Sequence, residues 1–428
     1  MKRLILVLVA VALLGCTGQV PVKKTGETPV PDAKAAEITS IRVLTYEGDP
    51  ILDPLISAFY ERNKQIRVDK VFYPVGPTAF DGLAVLRERI GAGAIDIFPQ
   101  MAVPGDLVAE NLILALDPYV KKTGLDLRPY ESVLSPFRVD GRLYMLPSYG
   151  IPEVIFYNAD MFATAGLTPP RPGWTWDEFR VAAAKLTSGS GESKVWGMGR
   201  NGGVESLAYH MATERAAGQA IEPPVAKEIL TFWSTMLHTD KSLKPSPRRA
   251  PDGSRALTGS PFQDFENRKA AMTLASMNTY QWLGRGSSFT VDIAPMPVSP
   301  GAKPGLTLYP SSYGIAANSP NADAAWEFLR FMLSDEAGVA LVKAGYFPLV
   351  RTEAVKQAWF DRQPTPPRST EHFFTAELRV NPYSTDSKAS AINRALTKAL
   401  QTLLQGETDQ VTLYQQFTAE REKILAGQ

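Results

Sequence analysis

Cysteine and histidine are scarce in this sequence: 428 residues include one cysteine and three histidines. A single cysteine cannot form an internal disulfide, and the widely separated His210, His238 and His372 belong to no metal-ligand motif. An excess of either charge is also missing, because 45 basic residues balance 44 acidic ones for a net charge of +1. This balance disfavours nucleic acid and anionic surfaces as partners, and we expect no metal or other cofactor.

The motifs of several enzyme classes are absent as well. The sequence contains no G-x-S-x-G, no P-loop and no G-x-G-x-x-G motif. The enzyme classes that carry these motifs, which are α/β-hydrolases, nucleoside triphosphatases and dinucleotide-binding enzymes, are therefore not indicated. A catalytic carboxylate pair of the glycoside-hydrolase kind stays open, because 44 acidic residues offer many pairs. We assign no catalytic residue, and a binding protein is favoured over an enzyme.

The lone cysteine lies directly behind an apolar run. Lys2 and Arg3 are followed by unbroken apolar residues from 4 to 14, a run too short for the roughly 20 residues that span a bilayer. This order of basic and apolar segments is typical of a secretory signal peptide, here residues 1–15. The junction LLGC (13–16) resembles a bacterial lipobox, which implies that Cys16 is lipidated and becomes the first mature residue. An ordinary signal peptide with an incidental cysteine is the alternative.

The segment behind the cysteine has no periodic apolar face. It is rich in proline, lysine, threonine and alanine, which predicts a disordered tether over 16–38 with a root-mean-square span of roughly 26 Å. A diacylglyceryl cysteine would carry the two acyl chains that stable anchoring needs. We therefore expect a lipid anchor that holds the chain on the extracytoplasmic side of the cell membrane.

Strands and helices alternate after the tether. Apolar strand patterns at 41–46, 66–75 and 94–98 are separated by amphipathic helical patterns, which predicts an α/β fold with a parallel sheet. Ligands bind beyond the carboxyl ends of the strands in such sheets. The loops 47–50 and 99–102 therefore attract attention as parts of a binding site.

Further patterns continue this alternation. Strands are predicted at 141–147, 154–158, 268–276 and 289–297. Thr175 and Glu178 have the spacing of a capping box at the start of a helix. A helix start is also indicated at Ser319-Pro320, and apolar stripes in the later helices indicate core packing.

Six segments in order resemble one family. They are DGRLYMLP (140–147), VIFYNADMFATAGL (154–167), GWTWDEF (173–179), FENRKAAMTLAS (265–276), SYGIAANSPNADAAWEFLRFML (312–333) and GYFPLVRTEAV (345–355). Together they resemble the family 1 extracellular solute-binding proteins of ABC importers, typified by maltose-binding protein. The resemblance implies a two-lobed, type II periplasmic-binding-protein-like fold with hinge strands. It also implies a monomer that closes on a small solute and delivers it to a membrane permease.

Approximate lobe boundaries complete this expectation. The first lobe is predicted at 39–148 plus 296–338, the second at 153–292 plus 347–428, and the hinges near 148–153, 292–296 and 339–347. A surface-anchored glycan-binding or glycoside-hydrolysing lipoprotein that is not coupled to a transporter is the alternative function.

Polar residues behind the first and third strands are candidate ligand contacts. Glu47 and Asp49 follow the first strand, where the family often places acidic contacts to sugar hydroxyls, and an ionised carboxylate accepts hydrogen bonds in several directions. Alternatively, Asp49 caps the helix that begins near Pro50. Gln100 matches a family position near the cleft, whereas Asp96 matches one that organises the loop.

The second predicted lobe departs from the sugar-binding pattern of the family. Sugar binders commonly carry Gly-Ser-Trp or Gly-Pro-Trp where this chain has ASMNTYQW (275–282). Met277 takes the place of the stacking tryptophan, and a thioether has no flat aromatic face. Tyr280 and Trp282 are candidate substitutes for that ring, with core packing as the alternative for Trp282, and Asn278 is a candidate amide contact.

Two tyrosines complete the candidate site. Tyr313 matches a family aromatic residue close to the ligand, with hinge packing as the alternative, and Tyr149 lies beside the first predicted hinge. A sugar or oligosaccharide is the expected solute, although the missing tryptophan leaves the identity of the sugar open.

Overall fold

The computed structural model describes 38–73, 81–199, 204–216, 219–245, 262–280, 283, 288–362, 368–380, 387–406 and 408–427. All of these residues belong to one compact unit, Ile38–Gln428. Cys16, the predicted signal peptide, the tether as far as residue 37 and Trp282 lie outside the described residues.

The described strands and helices follow one another in a mixed order. The strands are β1 Thr39–Tyr46, β2 Ile66–Tyr73, β3 Ile97–Pro99, β4 Arg138–Val139, β5 Arg142–Leu143, β6 Met145–Asn158, β7 Trp196–Met198, β8 Ala270–Ser276, β9 Val291–Ala294, β10 Gly305–Ile315 and β11 Glu377–Val380. The helices are α1 Leu52–Arg62, α2 Gly82–Gly91, α3 Pro104–Ala109, α4 Asp117–Thr123, α5 Glu131–Leu134, α6 Ala159–Thr164, α7 Trp176–Leu186, α8 Val204–Ala216, α9 Pro223–Ser234, α10 Gln263–Glu266, α11 Ala322–Phe331, α12 Asp335–Lys343, α13 Glu353–Asp361, α14 Ser387–Leu404 and α15 Gln410–Ala426.

A large mixed sheet connects these elements. Its strand order is β2-β1-β3-β10-β6-β8-β7, with β11 added to β10 and β9 added to β6. β1 is parallel to β2 and β3, as the sequence predicts, whereas β10 is antiparallel to β3 and β6. The direction of β10 cannot be predicted from its hydrophobic pattern, because parallel and antiparallel neighbours both bury the same alternating face.

β6 is one continuous strand of 14 residues, where the sequence suggests two strands separated by 148–153. Pro147, Gly150 and Pro152 lower the strand propensity of this stretch, which explains the difference. The first half of β6 pairs with β10 and the second half pairs with β8 and β9. β6 therefore crosses the molecule as a shared element of both halves of the sheet.

β6 also separates two hydrophobic cores. Val154 and Phe156 belong to the first core, whereas Ile155 and Tyr157 belong to the second, as the alternation of side chains along a strand requires. The first core receives side chains from β1 to β3, α1, α2 and α11 to α13, and the second receives them from α7 to α9, α14 and α15. Helix α13 thus packs in the first core, although the sequence places it in the second lobe; the lobe boundaries stay predictions.

Local hydrogen bonds at two element starts agree with the sequence. The capping box of α7 is confirmed, because Glu178 N donates to Thr175 Oγ1 at 3.2 Å and Thr175 N donates to Glu178 Oε2 at 2.6 Å. Asp96 is fully buried and accepts hydrogen bonds from Arg42 Nε at 3.0 Å and from Ser319 Oγ at 2.7 Å. Asp96 therefore joins β1, the start of β3 and the loop before α11, which is a structural role.

Candidate functional site

Five tyrosines from separate parts of the chain converge beside Asp49. Tyr46 and Tyr73 end β1 and β2, and their rings meet edge to face at 6.2 Å between centroids. The rings of Tyr149, in β6, and Tyr346, behind α12, meet in the same way at 6.4 Å. Tyr313, in β10, is only 3% exposed. We call the following set the tyrosine cluster: Tyr46, Tyr73, Tyr149, Tyr313 and Tyr346.

The negative charge of Asp49 reaches every member of the cluster. Burial raises the pKa of each of the five tyrosines, and the Asp49 carboxylate raises it further because it opposes a second negative charge. The pKa of Tyr149 is raised to about 12. Among the described residues, no lysine or arginine counteracts this effect in any of the five. The site is thus aromatic, hydroxyl-rich and acidic.

Asp49 is held in place by its own loop. Its carboxylate accepts from Thr45 Oγ1 at 2.7 Å and from Ile51 N at 2.9 Å, and the left-handed Gly48 (φ 82°) makes the turn before it. The bond to Ile51 fits the alternative that Asp49 organises the start of α1. A carboxylate has about four acceptor positions, so this role leaves capacity for a ligand. Glu47 is exposed in the same loop.

Gln100 lies at the carboxyl end of β3 and is exposed. Its backbone N donates to Ser312 O at 2.9 Å, and Ser312 Oγ donates to its side-chain Oε1 at 3.3 Å. Because β1 and β3 are parallel neighbours, Gln100 and the loop of Asp49 lie at the same edge of the sheet.

A second polar group lies further along β6. Tyr149 and Glu153 are four residues apart in this strand, so their side chains leave the same face. Ser206 Oγ donates to Glu153 Oε2 at 2.9 Å, and His210 Nε2 lies 2.6 Å from the same oxygen. The group was missed from sequence, because Glu153 and His210 are 57 residues apart and share no motif.

The remaining predicted residues lie behind β8. Met277 is 0% exposed and packs in the first core. Asn278 Oδ1 accepts a hydrogen bond from Phe347 N at 3.0 Å. The ring of Tyr280 is stacked on Phe156 at 6.5 Å between centroids. The structure thus brings Asp49, Tyr149 and Tyr313 together. Protein contacts engage Met277, Asn278 and Tyr280, and a ligand contact stays a prediction for all six residues.

Three members of the tyrosine cluster were not predicted. Tyr46 ends the first strand, whose carboxyl end the sequence already marks, so the same rule extended by one residue would have found it. Tyr73 ends β2, and the sequence marks no loop behind that strand. Tyr346 lies in the family segment at 345–355 and carries no signal of its own.

Metal and membrane features are limited in the described part of the chain. No group of three or more histidine, cysteine, aspartate or glutamate side chains is arranged there to hold a metal ion. None of the described helices combines the length and hydropathy needed to cross a membrane.

Comparison with known proteins identifies the family. The model of the family described as bacterial extracellular solute-binding protein matches residues 45–339. A binding protein of Brucella abortus (strain 2308) is 24% identical over 265 residues, which are 58% of this chain and 61% of the relative. The chain therefore matches about three fifths of the length of this curated relative.

Solved structures show the same fold. A sugar transporter protein from Rhizobium etli, in an open conformation, has a TM-score of 0.74 at 19% identity. The match covers 90% of this chain and 99% of the Rhizobium chain. UgpB from Mycobacterium tuberculosis, in complex with glycerophosphocholine, has a TM-score of 0.66 at 16% identity. The match covers 91% of this chain and 98% of the UgpB chain. With the family match over most of its length, the chain belongs to the bacterial extracellular solute-binding proteins and has their two-lobed α/β fold.

Proposed function

We propose that this protein is a membrane-anchored receptor that captures a neutral sugar or oligosaccharide beside the tyrosine cluster and delivers it to an ABC permease. The observation that carries the proposal is the convergence of five tyrosines beside one carboxylate, with two edge-to-face ring pairs at 6.2 and 6.4 Å and no counteracting lysine or arginine among the described residues. Tyrosine rings pack on the apolar faces of sugar rings and offer hydroxyls at their edges. The Asp49 carboxylate can accept from neighbouring sugar hydroxyls.

The charge of the site favours a neutral ligand over a phosphorylated one. Phosphate groups in proteins are typically bound by arginine, lysine or backbone amides. Asp49 would instead repel a phosphate, and Glu47 and Glu153 add further carboxylates at the ends of β1 and along β6. The family includes both ligand types, so this distinction is specific to the residues of this chain.

A quaternary ammonium ligand is the second candidate. Aromatic rings around a carboxylate are also the environment that such cations prefer, and Asp49 would balance the charge. Within the described part of the chain no lysine or arginine counteracts the effect of Asp49 on the tyrosines, which supports a cationic ligand for the same reason that it disfavours a phosphate.

Closure around the solute is part of the proposal, and the long strand β6 supports it. β10 pairs with the first half of β6, and β8 and β9 pair with its second half. We infer that β6 bends near 148–153, where its partners change, and that β10 bends around the Ser311/Ser312 irregularity. The solute drives closure only as far as it binds the closed form more tightly. Glu153, with Ser206 and His210, would then add second-lobe contacts.

The anchor at Cys16 belongs to the same proposal. A tether that keeps the receptor within a few tens of Å of the membrane raises its effective concentration at a permease. The alternative is a sugar-binding lipoprotein without a permease. Deletion of the gene in the producing cells tests this point. If the protein is the receptor of a permease, the cells should lose uptake of the solute, and if it binds sugar without a permease, uptake should not change.

A thermal-shift panel tests the ligand. The purified chain is heated with maltose, maltotriose, mannobiose, glycerol 3-phosphate, glycerophosphocholine and choline. A ligand that binds the folded state stabilises it by RT ln(1 + [L]/Kd), so we expect a higher melting temperature with at least one neutral saccharide and none with glycerol 3-phosphate. A shift with choline compounds alone would select the second candidate, and a shift with glycerol 3-phosphate alone would contradict both.

A further inference from the structure

We propose that Asn278 is a positioning residue that holds Tyr346 in the tyrosine cluster through a hydrogen bond to the backbone of Phe347. The inference rests on the proposed function, since it concerns the same binding site. It assigns Asn278 a role different from the direct ligand contact that the sequence suggests.

The backbone of Tyr346 is fixed on both sides. Before it, Gly345 is left-handed (φ 93°) and Tyr346 N donates to Leu341 O at 2.9 Å, which ends α12. After it, Phe347 N donates to Asn278 Oδ1 at 3.0 Å. Two hydrogen bonds, one local and one from a distant part of the chain, therefore set the direction in which the Tyr346 ring leaves the backbone.

The Phe347 side chain fixes the other side of this segment. Its ring is fully buried and meets Trp359 at 5.1 Å and Phe374 at 5.2 Å between centroids. The Tyr346 ring instead meets Tyr149 at 6.4 Å and senses the charge of Asp49. Phe347 thus anchors the loop in the core while its neighbour faces the candidate site.

Asn278 connects parts of the chain that are far apart in sequence. It lies in the turn Met277–Thr279 directly behind β8, 69 residues from Phe347. β8 pairs with the second half of β6, whereas α12, which precedes Tyr346, packs in the first core. The bond therefore joins the end of β8 to the segment that brings Tyr346 to the site.

The chemistry of the Asn278 amide gives a sharp test. Positioning uses only the acceptor Oδ1, whereas a direct contact to a ligand through the amide would also use the Nδ2 donor. Asn278→Asp keeps the acceptor and removes the donor. Asn278→Leu has a similar size and removes both.

The experiment compares both variants with Tyr346→Ala and the double variant Asn278→Leu/Tyr346→Ala. Affinity is measured calorimetrically with maltotriose, or with mannobiose if it gives the larger thermal shift. We expect Asn278→Leu to weaken binding by about fivefold or more and Asn278→Asp by less than about twofold. In the Tyr346→Ala background Asn278→Leu should have almost no further effect, because residues that act through one another are not additive.

Hydrogen exchange of peptide 341–350 in the unliganded protein gives a second measurement. The amide hydrogens of this peptide should be protected from exchange in the wild type and in Asn278→Asp. They should exchange faster in Asn278→Leu. Wild-type exchange or wild-type affinity in Asn278→Leu would overturn the inference, as would equal losses in the Asp and Leu variants. If no saccharide binds the wild type, the proposed function fails, and the exchange data alone decide whether Asn278 fixes the segment.

Discussion

Thr45 Oγ1 donates a hydrogen bond of 2.7 Å to the Asp49 carboxylate, and this bond fixes a negative charge at the carboxyl end of β1. Since Ile51 N also donates to the carboxylate, at 2.9 Å, the loop has a defined shape before any ligand arrives. A site organised in advance spends less free energy on ordering when it binds.

Asp49→Asn tests the role of this charge. The amide keeps an acceptor for Ile51 N, so the fold should persist, but hydrogen bonds to a charged group contribute about 1.5–3 kcal/mol. We expect maltotriose affinity to fall roughly 10- to 100-fold, as measured by calorimetry. Asp53→Asn is the matched control, because Asp53 pairs with Lys70 on the exposed side of α1. An equal loss in the control would contradict the assignment.

The same variant makes a prediction about alkaline titration. Burial is the main reason that the pKa of Tyr149 is raised to about 12, and Asp49 adds to it. Removing the negative charge should lower the pKa of Tyr149, since its phenolate is no longer opposed by a carboxylate. Difference absorbance of wild type and Asp49→Asn above pH 10 measures this change, with Tyr149→Phe identifying the contribution of that residue. An unchanged titration would contradict the electrostatic effect of Asp49 on Tyr149.

Tyr149→Ala tests the aromatic surface. Aromatic contacts contribute about 0.5–1.5 kcal/mol beyond burial, so we expect roughly a 3- to 10-fold loss of saccharide affinity, while Tyr149→Phe keeps most of it. Tyr414→Ala, on α15 in the second core, is the control for a tyrosine outside the site. If the Phe variant loses as much as the Ala variant, the hydroxyl rather than the ring carries the contact.

Asp96 should determine stability rather than binding. Burial alone would raise the pKa of Asp96, but hydrogen bonds from Arg42 and Ser319 offset this effect and hold it below its ordinary value. Asp96→Ala leaves Arg42 without its buried partner, and we expect a loss of about 3 kcal/mol in the free energy of unfolding, measured in urea. Asp126→Ala, an exposed carboxylate beside Arg128, is the control and should change little.

The pH dependence of stability follows with a defined sign. The pKa of Asp96 is lower in the folded chain, so the unfolded state binds more protons between the two pKa values and stability rises with pH there. The contribution of Asp96 is therefore present above about pH 4, the usual range of an aspartate, and is lost as the pH falls through the folded pKa. In urea unfolding at acidic pH, the wild type should lose the free energy of unfolding that Asp96 contributes. Asp96→Ala lacks this contribution and should show no such loss.

Cys16→Ser tests the anchor. Without the thiol no acyl chain can be attached, and we expect the protein to move from the membrane fraction to the soluble fraction of the producing cells. Unchanged fractionation would contradict lipidation. Saccharide affinity should not change, because Cys16 is remote in sequence from every residue of the candidate site.

Local patterns predicted much of the fold. The strands around Ile41 and Ile97, the capping box of Thr175 and Glu178 and the structural role of Asp96 all depend on short-range periodicity or on an ordered family motif. Such patterns report which face of an element is buried and which backbone groups need a partner. The strand order that they indicate, with the rule that ligands bind beyond the carboxyl ends of parallel strands, also led to the prediction of a ligand site at the loop of Asp49, which stays a prediction.

The composition of the candidate site was decided by tertiary structure. Tyr46, Tyr149 and Tyr346 come together only because of the strand order and because β6 runs unbroken through both halves of the sheet. The pairing of Glu153 with His210, and the bond from Phe347 N to Asn278, join residues 57 and 69 positions apart. A sequence pattern with a period of two or 3.6 residues carries no information about such distances, since sheet register and chain crossing alone determine which side chains meet.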